Sequence, residues 1–174
     1  MKVTVAKTAG FCFGVKRAVE MTYAEAKKER KVFTLGPIIH NEKVVEDLEA
    51  KGVFAVDRIE DLPEGENITV VIRSHGVGKD IYDAIEKKGV HMVDATCPFV
   101  ARIHETVRKA SEEGKHIIVI GSRNHPEVQG ILGWCSTPAE VIETEEEARA
   151  WEPVSGLDYQ IVSQTTFHAN KFKV

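Results

Sequence analysis

No stretch of this chain approaches the ~20 consecutive apolar residues that a membrane-spanning helix needs, and its opening MKVTVAKTAG lacks the long apolar core of a secretory signal. Those two absences predict a cytoplasmic protein with no membrane partner. Positive charge is not in excess either. The 23 Lys and Arg are outnumbered by 27 Asp and Glu, for a net charge of −4, so nothing suggests a polyanion-binding surface and no nucleic acid is expected as partner. Cysteine is scarce. The three, at 12, 97 and 135, stand 85 and 38 residues apart, which excludes a disulfide framework and the CxxC pairs of zinc ribbons and thioredoxins. Low-complexity sequence, GxGxxG and HExxH are also missing, and with them the usual dinucleotide and zinc-protease signatures. What is there is an ordinary globular composition, 43% apolar and 29% charged over 174 residues. That length buries a core as one large domain or two small ones.

Short β-rich runs alternate with amphipathic helical patterns, which predicts an α/β fold with mostly parallel sheets covered by helices. The predicted strands are Val3–Lys7, Lys31–Leu35, Ile68–Arg73, His91–Val93, His116–Gly121, Glu140–Glu143 and Tyr159–Ser163. Ile68 to Ile72 and Ile117 to Ile120 are nearly unbroken in β-branched residues, as in strands buried on both faces. Val100, Ile103, Val107 and Ala110 line one face of a helix that starts near Pro98 and stops at Gly114. Ile81, Ala84 and Ile85 do the same before Gly89, as do Val44, Val45 and Leu48 before Gly52. LEAKGVFAVD (Leu48–Asp57) and IEKKGVHMVD (Ile85–Asp94) match at six of ten positions. Each reads as a helix end, a glycine cap and a returning strand, and points to a duplicated unit. A boundary near Thr96–Pro98 then divides the chain into lobes 1–96 and 97–174, with Pro63–Glu66 and Glu152–Gly156 as surface loops.

The chemistry-bearing residues follow the strands. Gly10-Phe11-Cys12-Phe13-Gly14 follows the first, His40-Asn41 the second and Ser74-His75-Gly76 the third. Asp94-Ala95-Thr96-Cys97-Pro98, His125-Pro126-Glu127 and Ser163-Gln164-Thr165-Thr166 follow later ones. The carboxyl ends of parallel strands form the ligand crevice of an open α/β sheet, so these groups converge on one edge. A cysteine alone reads as a small buried hydrophobe. Flanking glycines around Cys12, however, admit a bulky group, and a helix N-terminus lowers the pKa of a thiol placed there. Cys97, before Pro98, repeats the arrangement, and two such thiols suit a soft metal centre between lobes. Cys135, beside Trp134 in an apolar helical stretch, reads as structural. His91, His104, His116 and His168 carry no motif and read as solvated or satisfied in the core. His40, His75 and His125 sit in strand-to-helix loops, where imidazoles suit an anion such as diphosphate. Glu127, near His125, is placed to donate a proton, though a carboxylate is favoured at a helix start by the dipole alone.

GFCFGVKRA (Gly10–Ala18), the HN of IIHN (Ile38–Asn41), SHG (Ser74–Gly76), DATCP (Asp94–Pro98), HPEVQG (His125–Gly130) and SQTT (Ser163–Thr166) together resemble, in order, the motifs of the 4-hydroxy-3-methylbut-2-enyl diphosphate reductase family. The resemblance implies a pseudo-threefold α/β protein around a central 4Fe-4S cluster. Cys12 and Cys97 match two of its three cluster cysteines, and the third belongs to a lobe beyond residue 174. His40, His75, His125 and Thr165 match residues that bind the substrate diphosphate, and Glu127 matches the proton-delivering acid. The implied reaction removes the allylic hydroxyl of the substrate as water, using two electrons and protons. Isopentenyl and dimethylallyl diphosphates, precursors of isoprenoid biosynthesis, result. Electrons come from an external donor such as ferredoxin or flavodoxin. The alternative is a truncated, non-catalytic fragment that binds a diphosphate or a partner without a stable cluster. A zinc hydrolase using the histidines and Glu127 fits less well, for want of closely spaced ligands.

Overall fold

A computed structural model of the chain describes residues 2–65 and 67–168, so Glu66 of the predicted loop Pro63–Glu66 lies outside the described residues. The elements run α1 (Phe13–Glu25), β1 (Lys31–Leu35), α2 (Glu42–Glu49), β2 (Val53–Val56), β3 (Ile68–Ile72) and α3 (Lys79–Lys88). There follow β4 (His91–Asp94), α4 (Pro98–Glu112), β5 (His116–Ile120), α5 (Pro126–Leu132), β6 (Ala139–Ile142), α6 (Glu145–Ala150) and β7 (Tyr159–Ser163). They build two separate parallel sheets, of order β2-β1-β3-β4 and β6-β5-β7.

Each predicted strand from β1 onward is found, and so is the α/β class. The exception is Val3–Lys7, which is irregular and pairs with no described strand, leaving Val3 and Val5 each 74% exposed. A β-branched run becomes a strand only when a neighbour takes up its backbone hydrogen bonds, and no neighbour lies beside this one among the described residues.

The first sheet is covered on both faces. Val71 faces Ala18 and Val19 of α1 and Leu48 of α2. Val70 and Ile72, alternating to the other side, face Ile85 of α3 and the Ile59–Leu62 turn. Every β3 residue is therefore buried, as its unbroken apolar run requires. In the second sheet, Ile117 and Val119 pack against Val107 and Ala110 of α4 and Val128 and Ile131 of α5. Full burial of each such side chain contributes roughly 1.5–3 kcal/mol. Glycines in the left-handed region, Gly52 at φ 82° and Gly89 at φ 70°, turn the chain out of α2 and α3, matching the two halves of the internal echo.

Candidate active site

Strand order decides where a site can form. From β1 the chain crosses through α2 to β2 on one side, and from β3 through α3 to β4 on the other, so the loops after β1 and β3 part and leave a crevice. Those loops carry His40 and His75. In the second sheet β5 crosses to β6 on one side while β7 lies on the other, opening a crevice between the loops that carry His125 and Thr165.

The two crevices meet. The ring of His75 lies 5.7 Å from that of His40 and 5.4 Å from that of His125, so the three imidazoles form a row. His40 is exposed and precedes Asn41, whose side-chain oxygen caps α2 by accepting from the Val44 N–H at 3.2 Å. His75 is half-buried, and its Nδ1 has no hydrogen-bond partner. Burial, then the nearby Arg73 guanidinium and the flanking histidines, push its pKa down to about 4, so it is neutral near pH 7. His125 is the N-cap of α5, and its Nδ1 accepts from the Glu127 N–H at 3.1 Å. That bond assigns the neutral His125 the tautomer with its proton on Nε2, free to donate. Within the first turn of the helix, the Glu127 side chain is buried, the residue being 1% exposed. Its Oε1 accepts from the Thr165 N–H at 2.6 Å and its Oε2 from the Thr165 hydroxyl at 2.8 Å. Thr165 is exposed, so it links a buried acid to the surface.

The cysteines lie on the same edge. Cys12 is the exposed N-cap of α1 and Cys97 the half-buried N-cap of α4. A Cβ on Gly14 would stand 2.5 Å from Cys97 Sγ, so the second glycine of GFCFG is the space into which the Cys97 side chain fits. Arg17, one turn on, donates to the carbonyls of Thr96 at 3.1 Å and Asp94 at 3.5 Å, holding α1 against the DATCP loop. The Cys97 N–H donates to Ser74 O at 2.9 Å, which joins the cysteine loop to the residue before His75. Both thiols are soft donors of the kind that an iron–sulfur centre takes, and no group of three or more His, Cys, Asp or Glu that could hold a metal occurs among the described residues. Cys135 lies apart, just past α5. Its thiol, pushed up to about 11 by burial, donates to Ile131 O.

Residue-by-residue reading missed three supports. Arg17 was visible within its motif but carried no ligand chemistry. Arg73, whose Nε is buried without a partner, looked like a strand end. His104 is the correction. Expected to be solvated or satisfied, it is 4% exposed with its Nε2 unpartnered, and burial pushes its pKa down to about 4. Its i+7 spacing from Cys97 was the one available signal, since it places the ring two turns along the same helix.

The family model of the LytB protein matches residues 3–174. A 4-hydroxy-3-methylbut-2-enyl diphosphate reductase of Thermoanaerobacter sp. (strain X514) is 48% identical over 152 residues, 85% of this chain and 52% of the relative. One from Clostridioides difficile (strain 630) is 44% identical over 169 residues, 97% of this chain and 60% of the relative. A solved structure of the (E)-4-hydroxy-3-methyl-but-2-enyl diphosphate reductase described as the terminal enzyme of the non-mevalonate pathway superposes with a TM-score of 0.81. It is 43% identical, with 98% of this chain and 60% of that one covered. The Plasmodium falciparum reductase superposes at 0.89 with 28% identity, covering 96% and 52%. The chain thus spans about half the length of the curated relatives it matches, 52% for the first of them. Match to the family model over nearly every residue, and these identities, make the chain a member of the LytB protein family.

Proposed function

We propose that this chain is the part of a 4-hydroxy-3-methylbut-2-enyl diphosphate reductase that binds the substrate diphosphate, delivers protons and supplies two thiolates to a 4Fe-4S cluster. The whole enzyme takes two electrons and two protons, releases the allylic hydroxyl as water, and yields isopentenyl or dimethylallyl diphosphate. On this reading lobe 1–96 brings Cys12, lobe 97–174 brings Cys97, and a cytoplasmic ferredoxin or flavodoxin brings the electrons. Cys12 and Cys97 would hold the cluster, which supplies electrons and a Lewis-acidic iron when bound.

The chain's own residues do the rest. His40, His75 and His125 donate N–H groups to the diphosphate and so orient the carbon chain. Before the anion arrives, burial and the neighbouring cations hold the His75 pKa down to about 4, and the negative charge of a bound diphosphate acts in the opposite direction. Protonated at Oε2, Glu127 donates to the Thr165 hydroxyl, reversing the 2.8 Å bond that Thr165 otherwise donates, and Thr165 passes its own hydroxyl proton outward.

The observation that carries this reading is the histidine row ending in the His125–Glu127–Thr165 chain. In the full-length protein, His75→Ala should weaken substrate binding about tenfold while leaving iron content unchanged, and Cys97→Ser should do the reverse. Iron loss with unaltered affinity in His75→Ala would sink the assignment. For the 174 residues alone, only Cys12 and Cys97 are available as paired thiolates. Anaerobic reconstitution should therefore give a folded chain without a stable cluster, and about four irons per chain surviving desalting would overturn that.

A further inference from the structure

Two glycines need explaining. Gly78 follows His75 by three residues, Gly133 follows His125 by eight, and neither has a positive φ, so backbone conformation does not demand glycine at either place. Space does. A Cβ on Gly133 would stand 2.5 Å from Gly78 Cα, and one on Gly78 would stand 3.1 Å from Gly133 Cα. The β3–α3 loop and the end of α5 touch backbone to backbone, and neither can yield as a flexible side chain would.

Other contacts hold the same joint. The Lys79 N–H donates to Gly133 O at 3.2 Å, and Trp134 Nε1 donates to Val77 O at 2.8 Å. Beneath lies His104, stacked on Trp134 with ring centroids 5.6 Å apart and planes at 22°. A Cβ on Gly76 would stand 2.5 Å from His104 Cε1, and one on Gly130 would stand 3.4 Å from its Nε2. His104 therefore supports both strips at once, the one that carries His75 and the one that begins with His125.

We infer that the Gly78–Gly133 joint, floored by His104 and braced by Trp134, is the positioning element that fixes the His75–His125 gap and makes the site prefer a diphosphate to a single phosphate. The inference rests on the diphosphate reading above. A single phosphate meets two neighbours in a row of imidazoles, whereas a diphosphate spans all three, so moving one end of the row costs the diphosphate more. An alanine at 133 forces the backbones apart by about 0.9 Å before its contact reaches an ordinary 3.4 Å.

The test compares Gly133→Ala and Trp134→Phe with the wild-type full-length protein, by calorimetry with inorganic diphosphate and with inorganic phosphate, and by crystal structures. Trp134→Phe keeps the stacked ring and removes the N–H donor. Gly133→Ala should weaken diphosphate about tenfold, or about 1.4 kcal/mol, and phosphate by less than about threefold, with the 5.4 Å His75–His125 separation widened. Trp134→Phe should shift the same ratio in the same direction by less. Equal losses for both anions, or no loss in a folded Gly133→Ala, would overturn the inference. If Gly133→Ala does not fold, the anion ratio of Trp134→Phe decides. If the wild type binds neither anion, the diphosphate reading fails and the variant structures decide the joint alone. A widened gap supports it and an unchanged gap ends it.

Discussion

The two ends of the parallel strands treat the same residue type in opposite ways. At the amino ends of β5 and β7, His116 bonds Glu140 through Nε2 at 2.6 Å and meets the ring of Tyr159 edge-on at 5.5 Å. Trp151 Nε1 donates to the other Glu140 oxygen at 3.0 Å and closes the group against Tyr159. At the carboxyl ends, His75 is half-buried with Nδ1 unpartnered, beside two more imidazoles and near an Arg73 whose buried Nε also lacks a partner. A buried polar atom without a partner costs about 1–3 kcal/mol. The His116 group has removed that cost and the His75 group retains it.

The carboxyl end should break first and hardest. Glu127→Gln preserves shape but removes the acid, so turnover in the full-length enzyme should fall by about a hundredfold or more while substrate affinity stays close to wild type. Steady-state kinetics with direct binding checks this, and unchanged turnover would remove Glu127 from the proton path.

An intermediate effect concerns pH. His75 and His104 are both held at about 4, chiefly by burial, against an ordinary 6.5. Below about pH 6.5 the unfolded chain takes up these two protons and the folded chain does not. Their contribution to stability is therefore complete above that pH and drains away as pH falls towards 4. Denaturant midpoints measured from pH 7 to 4.5 should fall, and His75→Ala should flatten the slope. An identical slope would show that His75 is not held neutral in the fold.

The smallest effect belongs to the closed end. His116→Gln leaves a partly exposed pair broken and should cost less than about 1 kcal/mol in a thermal or urea melt, with no change in anion binding. A loss of binding there would erase the distinction between the two ends.

Much of this protein was legible in its residues because local pattern carries local structure. Alternating β-branched runs and glycine-capped helices gave the strands from β1 onward, and motif order placed His40, His75, His125, Glu127, Thr165 and Cys97 after those strands, whereas the segment before Cys12 is not a strand. Val3–Lys7 shows the limit, since a strand exists only where another strand accepts its hydrogen bonds. Tertiary structure alone decided the rest. Strand order within each sheet, the splitting of loops at β1/β3 and β5/β7, and the seating of Cys97 against Gly14 are long-range placements with no sequence periodicity to announce them. The same holds for His104, an unremarkable position on a helix face until Gly76 and Gly130 are folded down upon it. Contacts between residues far apart in the chain depend on how elements pack, and packing is the one thing that a local pattern does not encode.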